Sequence, residues 1–178
     1  MWSLDRFICD CRDAVTEGSD PGAIADAMAQ AMSETDALIR ALGPPEGPGI
    51  VPLYRARDLT ILNVIWKPSM TVPPHDHQMW AAIGIYAGRE DNIFWRRIKD
   101  DPNGKIEADG ARSIGRGEWT PLGSDIIHSV TNPLSRLTGA IHVYGGDFFA
   151  VERSEWDAEH LHETRLDIER VKAMFSDS

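Results

Sequence analysis

The chain has 178 residues, 42% of them hydrophobic, which is enough to bury one sizeable core. Its formal net charge of -10, without basic clusters, argues against nucleic acid or an anionic membrane surface as partner and leaves small molecules. No apolar run approaches the roughly 18 residues of a membrane span, and Met1 to Asp20 is a mixed, charged helical pattern with no signal-peptide core, so a cytoplasmic monomer or homodimer is expected.

In chain order, Ser3 can cap a helix whose apolar positions Leu4, Phe7, Ile8, Cys11, Ala14 and Val15 recur at three and four, ending near Gly18. Cys9 and Cys11 lie about 200° apart around it and read as reduced thiols. A second helix opens at Asp20-Pro21, with Asp20 as N-cap, and runs through Ile24, Met28 and Met32. A fresh start at Ser33-Glu34-Thr35-Asp36 carries it on through Leu38 and Leu42 to Gly43. These segments, residues 1–43, are expected to pack as a helical cap.

The Gly- and Pro-rich stretch from Gly43 to Gly49 reads as the connector into a β region over 50–150. Strands are expected at Leu59 to Trp66, Met79 to Ala87, Asn92 to Ile98, Lys105 to Ala108, Ile126 to Thr131 and Leu137 to Tyr144, with a hairpin turn at Asp101-Pro102-Asn103-Gly104. Many short strands between such turns predict a mainly β fold, closed or double-sheeted. The extension 151–178 carries a last helix at Leu166 to Phe175, and the whole is read as one domain. His160 and His162 sit among Asp157, Glu159 and Glu163 and read as a solvated charged surface.

Chemistry concentrates in Pro73-Pro74-His75-Asp76-His77. On an extended strand, imidazoles two residues apart point the same way and can share one ion, and the prolines favour that extended entry. His128, in another strand-like run, supplies a third donor. Three rings converging in a core without a metal would each need another partner. Asp76 is expected to point away from the ligand face, and Glu90 and Asp91 abut a turn.

These residues resemble the two motifs of the cupin superfamily. His75, His77 and Gly88 have the spacing of the first, and Gly115, Pro121, Gly123, His128 and Asn132 that of the second. The resemblance implies a jelly-roll, double-stranded β-helix barrel with His75, His77 and His128 as metal ligands. Many cupins add a Glu four or five residues after the second His, where this chain has Ala81 and Ala82. Three neutral imidazoles leave a divalent ion its full charge, favouring an anionic ligand such as a thiolate or an enolate.

That set is similar to the thiol dioxygenases of the cysteine dioxygenase type, which use mononuclear ferrous iron to oxidise a thiol. In that family a His-x-Tyr pair follows on the next strand, and His142 and Tyr144 fit it as the catalytic pair. Arg57, ahead of the strand ending at Trp66, resembles the arginine that grips a substrate carboxylate, and Trp80 is expected to shape the substrate cavity. Ala140 stands where the family has a small hydroxyl residue, which shortens that relay, and no cysteine lies near position 82 to crosslink with a tyrosine. The resemblance thus implies Fe(II), replaceable by Zn or Ni during preparation, and a small thiol with O2 as reactants. A three-histidine cupin acting on another chelating substrate, such as a β-diketone, and a metal-binding module without catalysis are the alternatives.

Overall fold

A computed structural model describes residues 2–16, 18 and 21–176. Helix α1 (Leu4–Thr16) buries Phe7, Cys11 and Ala14, and the Ser3 hydroxyl accepts the Arg6 backbone N–H at 3.3 Å as the expected cap. Cys11 is inside and Cys9 outside, both as free thiols, and burial pushes the Cys11 thiol up to about 12. The expected Asp20 cap lies outside the described residues. Helix α2 (Pro21–Ser33) buries Ile24, Ala27, Met28, Ala31 and Met32, and the break at Glu34 opens α3 (Thr35–Leu42), which ends at Gly43 with φ 83°. Among the described residues no helix is long and apolar enough to cross a membrane.

Eleven strands follow among the described residues: β1 (Gly49–Arg55), β2 (Thr60–Trp66), β3 (Thr71–Asp76), β4 (Ala81–Ala87), β5 (Arg89–Arg97), β6 (Ile106–Gly115), β7 (Trp119–Leu122), β8 (Ile127–Thr131), β9 (Thr138–Tyr144), β10 (Ser154–Trp156) and β11 (Glu163–Arg165); helix α4 (Ile168–Phe175) closes the chain. They form two antiparallel sheets, ordered β1-β2-β9-β4-β7 and β11-β10-β3-β8-β5-β6. From β2 to β9 the strands divide into a β2-β9-β4-β7 sheet and a β3-β8-β5-β6 sheet, the chain changing sheet at every step but the β5–β6 pair, which is the strand order of a jelly roll. The expected mainly β, double-sheet fold is therefore what the chain adopts.

The central strands β2, β9 and β4 of the first sheet are buried on both faces. Ile61, Ala82, Tyr86, Ile141 and Val143 pack under α1–α3, while Leu62, Val64, Ile83, Ile85 and Ala140 fill the space between the sheets. This double burial makes β2, β4 and β9 continuous apolar runs, and it made them legible. At Gly84 a Cβ would stand 2.7 Å from Met32 Sδ, so glycine there lets α2 lie close on β4.

The strands that sequence patterning missed have reasons for being faint. β1 is an edge strand holding Pro52, with a register shift between Pro52 and Tyr54, and β7 has four residues with Pro121 in it. β10 and β11 have three residues each. β6 runs on past Ala108 to Gly115 as a largely exposed edge strand, without the apolar alternation that would announce it.

Candidate metal centre

β3 carries His75, and His77 stands just past its end, ahead of Gln78 at φ 54°. On β8, His128 is registered directly across from His75. The three rings meet with centroids 5.1 Å (His75–His77), 4.7 Å (His75–His128) and 4.9 Å (His77–His128) apart. One nitrogen from each lies within 4.8 Å of the others, and the cluster contains no carboxylate.

Two of the rings are held in a ligand-ready tautomer. His75 Nδ1 lies 2.9 Å from the Pro73 carbonyl, which can only accept, so this nitrogen carries the proton and Nε2 is free. His128 Nδ1 lies 2.8 Å from Asn92 Oδ1, likewise an acceptor. His128 Nε2 then faces His77 Nε2 at 3.4 Å. That spacing suits two nitrogens each about 2.0–2.1 Å from one ion. The donor set therefore fits a divalent metal, held by His75, His77 and His128.

Electrostatics keeps the rings neutral. Burial lowers His75 to about 4, offset in part by its bond to Pro73, with the nearby Arg153 charge lowering it further. Burial also holds His77 and His128 well below the ordinary imidazole value, helped by the neighbouring histidines. His77 and His128 are 2% and 1% exposed. Neutral imidazole is the form that binds metal. Asp76 points away as expected: Oδ1 accepts the Ser154 N–H at 2.9 Å and Oδ2 the Gln78 amide at 2.6 Å, tying β3 to β10.

Strand β9 brings His142 and Tyr144 to the same place. His142 Nδ1 and the Tyr144 hydroxyl are 2.8 Å apart, and the Tyr144 ring stands edge-on to His77 with centroids 5.0 Å apart. Burial drives the Tyr144 hydroxyl far above its usual value, so it remains protonated. Behind His142, Glu90 Oε1 lies 3.4 Å from Nε2. Glu90 is fully buried, although its place beside a turn gave no sign of this in the sequence. On β5 it lies two residues from Asn92, so one face of that strand supports both His142 and His128.

The cavity beside the rings holds about 40 Å³. Its other walls are apolar, from Ile50, Leu62, Val64, Trp66, Val72, Val130 and Phe148, with Val171 and Phe175 of α4 closing it. Tyr144 stacks on Phe148 at 4.5 Å, and the Arg153 guanidinium lies 4.2 Å over Phe148 while donating to its carbonyl at 2.5 Å. Trp66 Nε1, His77 Nδ1, Glu90 Oε2 and Asn92 Nδ2 are buried without a partner among the described residues, and they all belong to this neighbourhood. Unpaired buried polar atoms cost stability, and such a concentration marks a place kept for something other than packing.

Two expected site residues stand elsewhere. Arg57 is exposed in the β1–β2 turn closed by Ala56 N–H to the Leu59 carbonyl, and it does not line the cavity. Trp80 packs against Gly145 and lines a separate apolar cleft of about 400 Å³ with Ile24, Trp119 and Pro121, under α2 rather than beside the histidines. His160 and His162 lie in a loop gathered by the Asp157 carboxylate, which accepts the backbone N–H groups of Glu159, His160 and His162, and among the described residues they join no cluster of metal-ligating side chains.

No protein-family model matches the chain. Among solved structures it is similar to an RmlC-like cupin family protein with a double-stranded β-helix fold from Methanocaldococcus jannaschii, with a TM-score of 0.47 and 10% identity over 61% of this chain and 87% of that one. It is also similar to oxalate decarboxylase of Bacillus subtilis, with a TM-score of 0.42 and 19% identity over 59% of this chain and 27% of that one. A third likeness is to an oxalate oxidase in complex with the substrate analogue glycolate, with a TM-score of 0.42 and 16% identity over 58% of this chain and 53% of that one. The match thus spans about a quarter of the oxalate decarboxylase chain.

Proposed function

We propose that this chain is a three-histidine cupin and, more narrowly, a mononuclear iron enzyme that joins both atoms of dioxygen to the sulfur of a small thiol (RSH + O2 → RSO2H). The observation that carries this reading is the donor set: His75, His77 and His128 converge as neutral imidazoles with no carboxylate among them. Such a set leaves a divalent ion its full charge, which favours an anionic sulfur ligand. When bound, ferrous iron supplies Lewis acidity and one-electron chemistry toward thiolate and dioxygen. Iron is the metal of choice on that ground, and zinc or nickel would occupy the same nitrogens.

The chain's own residues do the positioning. Tyr144, edge-on to His77 and bonded to His142, sets the hydrogen bonding offered to a bound molecule. Leu62, Val64, Val72, Val130 and Phe148 exclude water and favour a thiol with an apolar body. Arg57 has no part in this reading, since its side chain is exposed; Arg153 is the buried cation nearest the rings. The test is oxygen uptake by the iron-loaded protein against a panel of small thiols, with the sulfinate identified by mass. No uptake with iron at one equivalent overturns the proposal, and turnover of a β-diketone but of no thiol reassigns the substrate.

The size of the cavity favours a second reading, a metal-binding module without turnover. The space of about 40 Å³ that Phe148, Val171 and Phe175 help to line holds little more than water as it stands. Tight metal binding with every thiol and diketone inert would select it.

A further inference from the structure

We infer that Glu90 is a positioning residue of the metal centre: its carboxylate keeps the proton of His142 on Nε2, so that Nδ1 accepts from the Tyr144 hydroxyl and the tyrosine oxygen turns a lone pair, not a proton, toward the cavity. Three observations meet here. Glu90 is 0% exposed, yet it has no arginine or lysine partner, and Oε2 has no partner at all among the described residues. A buried carboxylate left half-satisfied costs stability, so packing alone does not account for it. Its one polar side-chain partner among the described residues is His142 Nε2 at 3.4 Å, and the opposite ring nitrogen is 2.8 Å from Tyr144 Oη.

The rest is hydrogen-bond logic. A neutral imidazole has one donor and one acceptor, and a carboxylate only accepts. On the premise that Glu90 is a carboxylate and His142 neutral, the proton belongs on Nε2, Nδ1 is the acceptor, and the single hydroxyl proton of Tyr144 is committed to it. Tyr144 is edge-on to His77 and lines the cavity, so its oxygen is, with the unpartnered Trp66 Nε1, among the polar atoms offered to a molecule beside the metal. An acceptor at that point receives a hydrogen bond from an incoming ligand that still carries a proton, as a thiol does before it binds as the thiolate. Asn92, two residues on along β5, fixes the tautomer of His128 in the same way, so one strand face orders the protons of two rings on two other strands.

The effect on turnover rests on the thiol reading, whereas the tautomer does not, and the experiment separates them. Nitrogen-15 NMR of the full-length protein loaded with zinc, its histidine rings labelled and His142 assigned by His142→Gln, is expected to show the wild-type ring as the Nε2–H tautomer. An Nδ1–H ring in the wild type overturns the inference without any variant of Glu90. In Glu90→Leu, which has no acceptor, the ring is expected to shift to Nδ1–H or to a mixture, whereas Glu90→Gln, which keeps an oxygen at that point, retains Nε2–H. An unchanged Nε2–H signal in Glu90→Leu also overturns it. In the iron-loaded protein, kcat on a thiol is expected to fall at least tenfold in Glu90→Leu at unchanged iron content and to recover in Glu90→Gln. If no thiol turns over but the ring switches as described, the thiol reading fails and the role of Glu90 stands.

Discussion

Acidification should cost the metal-free protein stability through its buried histidines. His75 falls to about 4 in the folded chain, and His77 and His128 lie well below the ordinary value, in each case chiefly through burial. The unfolded chain holds all three near pKa ~6.5. The unfolded state therefore binds protons first, so the stability is fully present above about pH 6.5 and is lost as pH falls toward the folded values. At pH 5.5 each such histidine costs about 1.4 kcal/mol, and the three together about 4 kcal/mol relative to pH 8. The lowered carboxyls of Asp91, Asp147 and Glu163 do not contribute in this window, because they stay ionised in both states down to about pH 5. Urea unfolding of metal-stripped protein at pH 8 and pH 5.5, followed by tryptophan fluorescence, measures the difference, and His128→Asn should reduce it by about 1.4 kcal/mol. Equal stability at the two pH values, or the same loss in the variant, would refute the reasoning.

Asn92→Ala, which leaves His128 Nδ1 without its acceptor, is expected to weaken zinc binding roughly 10- to 100-fold in chelator competition while leaving the fold intact by circular dichroism. Phe175→Ala removes a ring that closes the cavity and packs on Trp66 at 5.0 Å; a loss of about 3 kcal/mol in urea melts and faster stripping of the metal by a chelator are expected. Gly88→Ala puts a Cβ at φ 86° and 3.0 Å from Thr138 Cα, so it should destabilise the protein by at least ~1 kcal/mol, checked by thermal melting. Arg57→Ala is expected to leave both metal binding and any thiol turnover within twofold of wild type, since its side chain is exposed away from the cavity.

The three-histidine cluster was legible because His-x-His on a strand is a local geometric statement, and because His128 lies in a run whose β-branched neighbours mark another strand. Gly88 and Asn132 were legible for a different reason. Gly88 sits where a Cβ would strike Thr138, and Asn132 bonds to the Lys67 and Arg136 carbonyls, the Leu134 N–H and the Thr138 hydroxyl, so both are fold determinants rather than chemistry. Arg57 and Trp80 were misjudged because sequence distance to a ligand does not say which way a turn faces.

Glu90 and Asn92 show where reading from sequence stops. Alternate positions of β5 face inward, and the inward set begins Glu90, Asn92 and then Phe94, polar where a core strand would be apolar. From sequence alone that face reads as the wet one, since polar residues on an antiparallel strand usually point to solvent. The assignment reverses only when the partner strand is known: Phe94 is registered opposite His128, which fixes the polar face toward the barrel interior. Ala140 then takes on a different meaning. Its missing hydroxyl suggested a relay cut short at His142, but the ring's far nitrogen meets Glu90 from a strand in the other sheet. A jelly roll faces two sheets across one interior, so a group absent from one strand can be supplied from across the barrel, and only the strand order reveals the substitution.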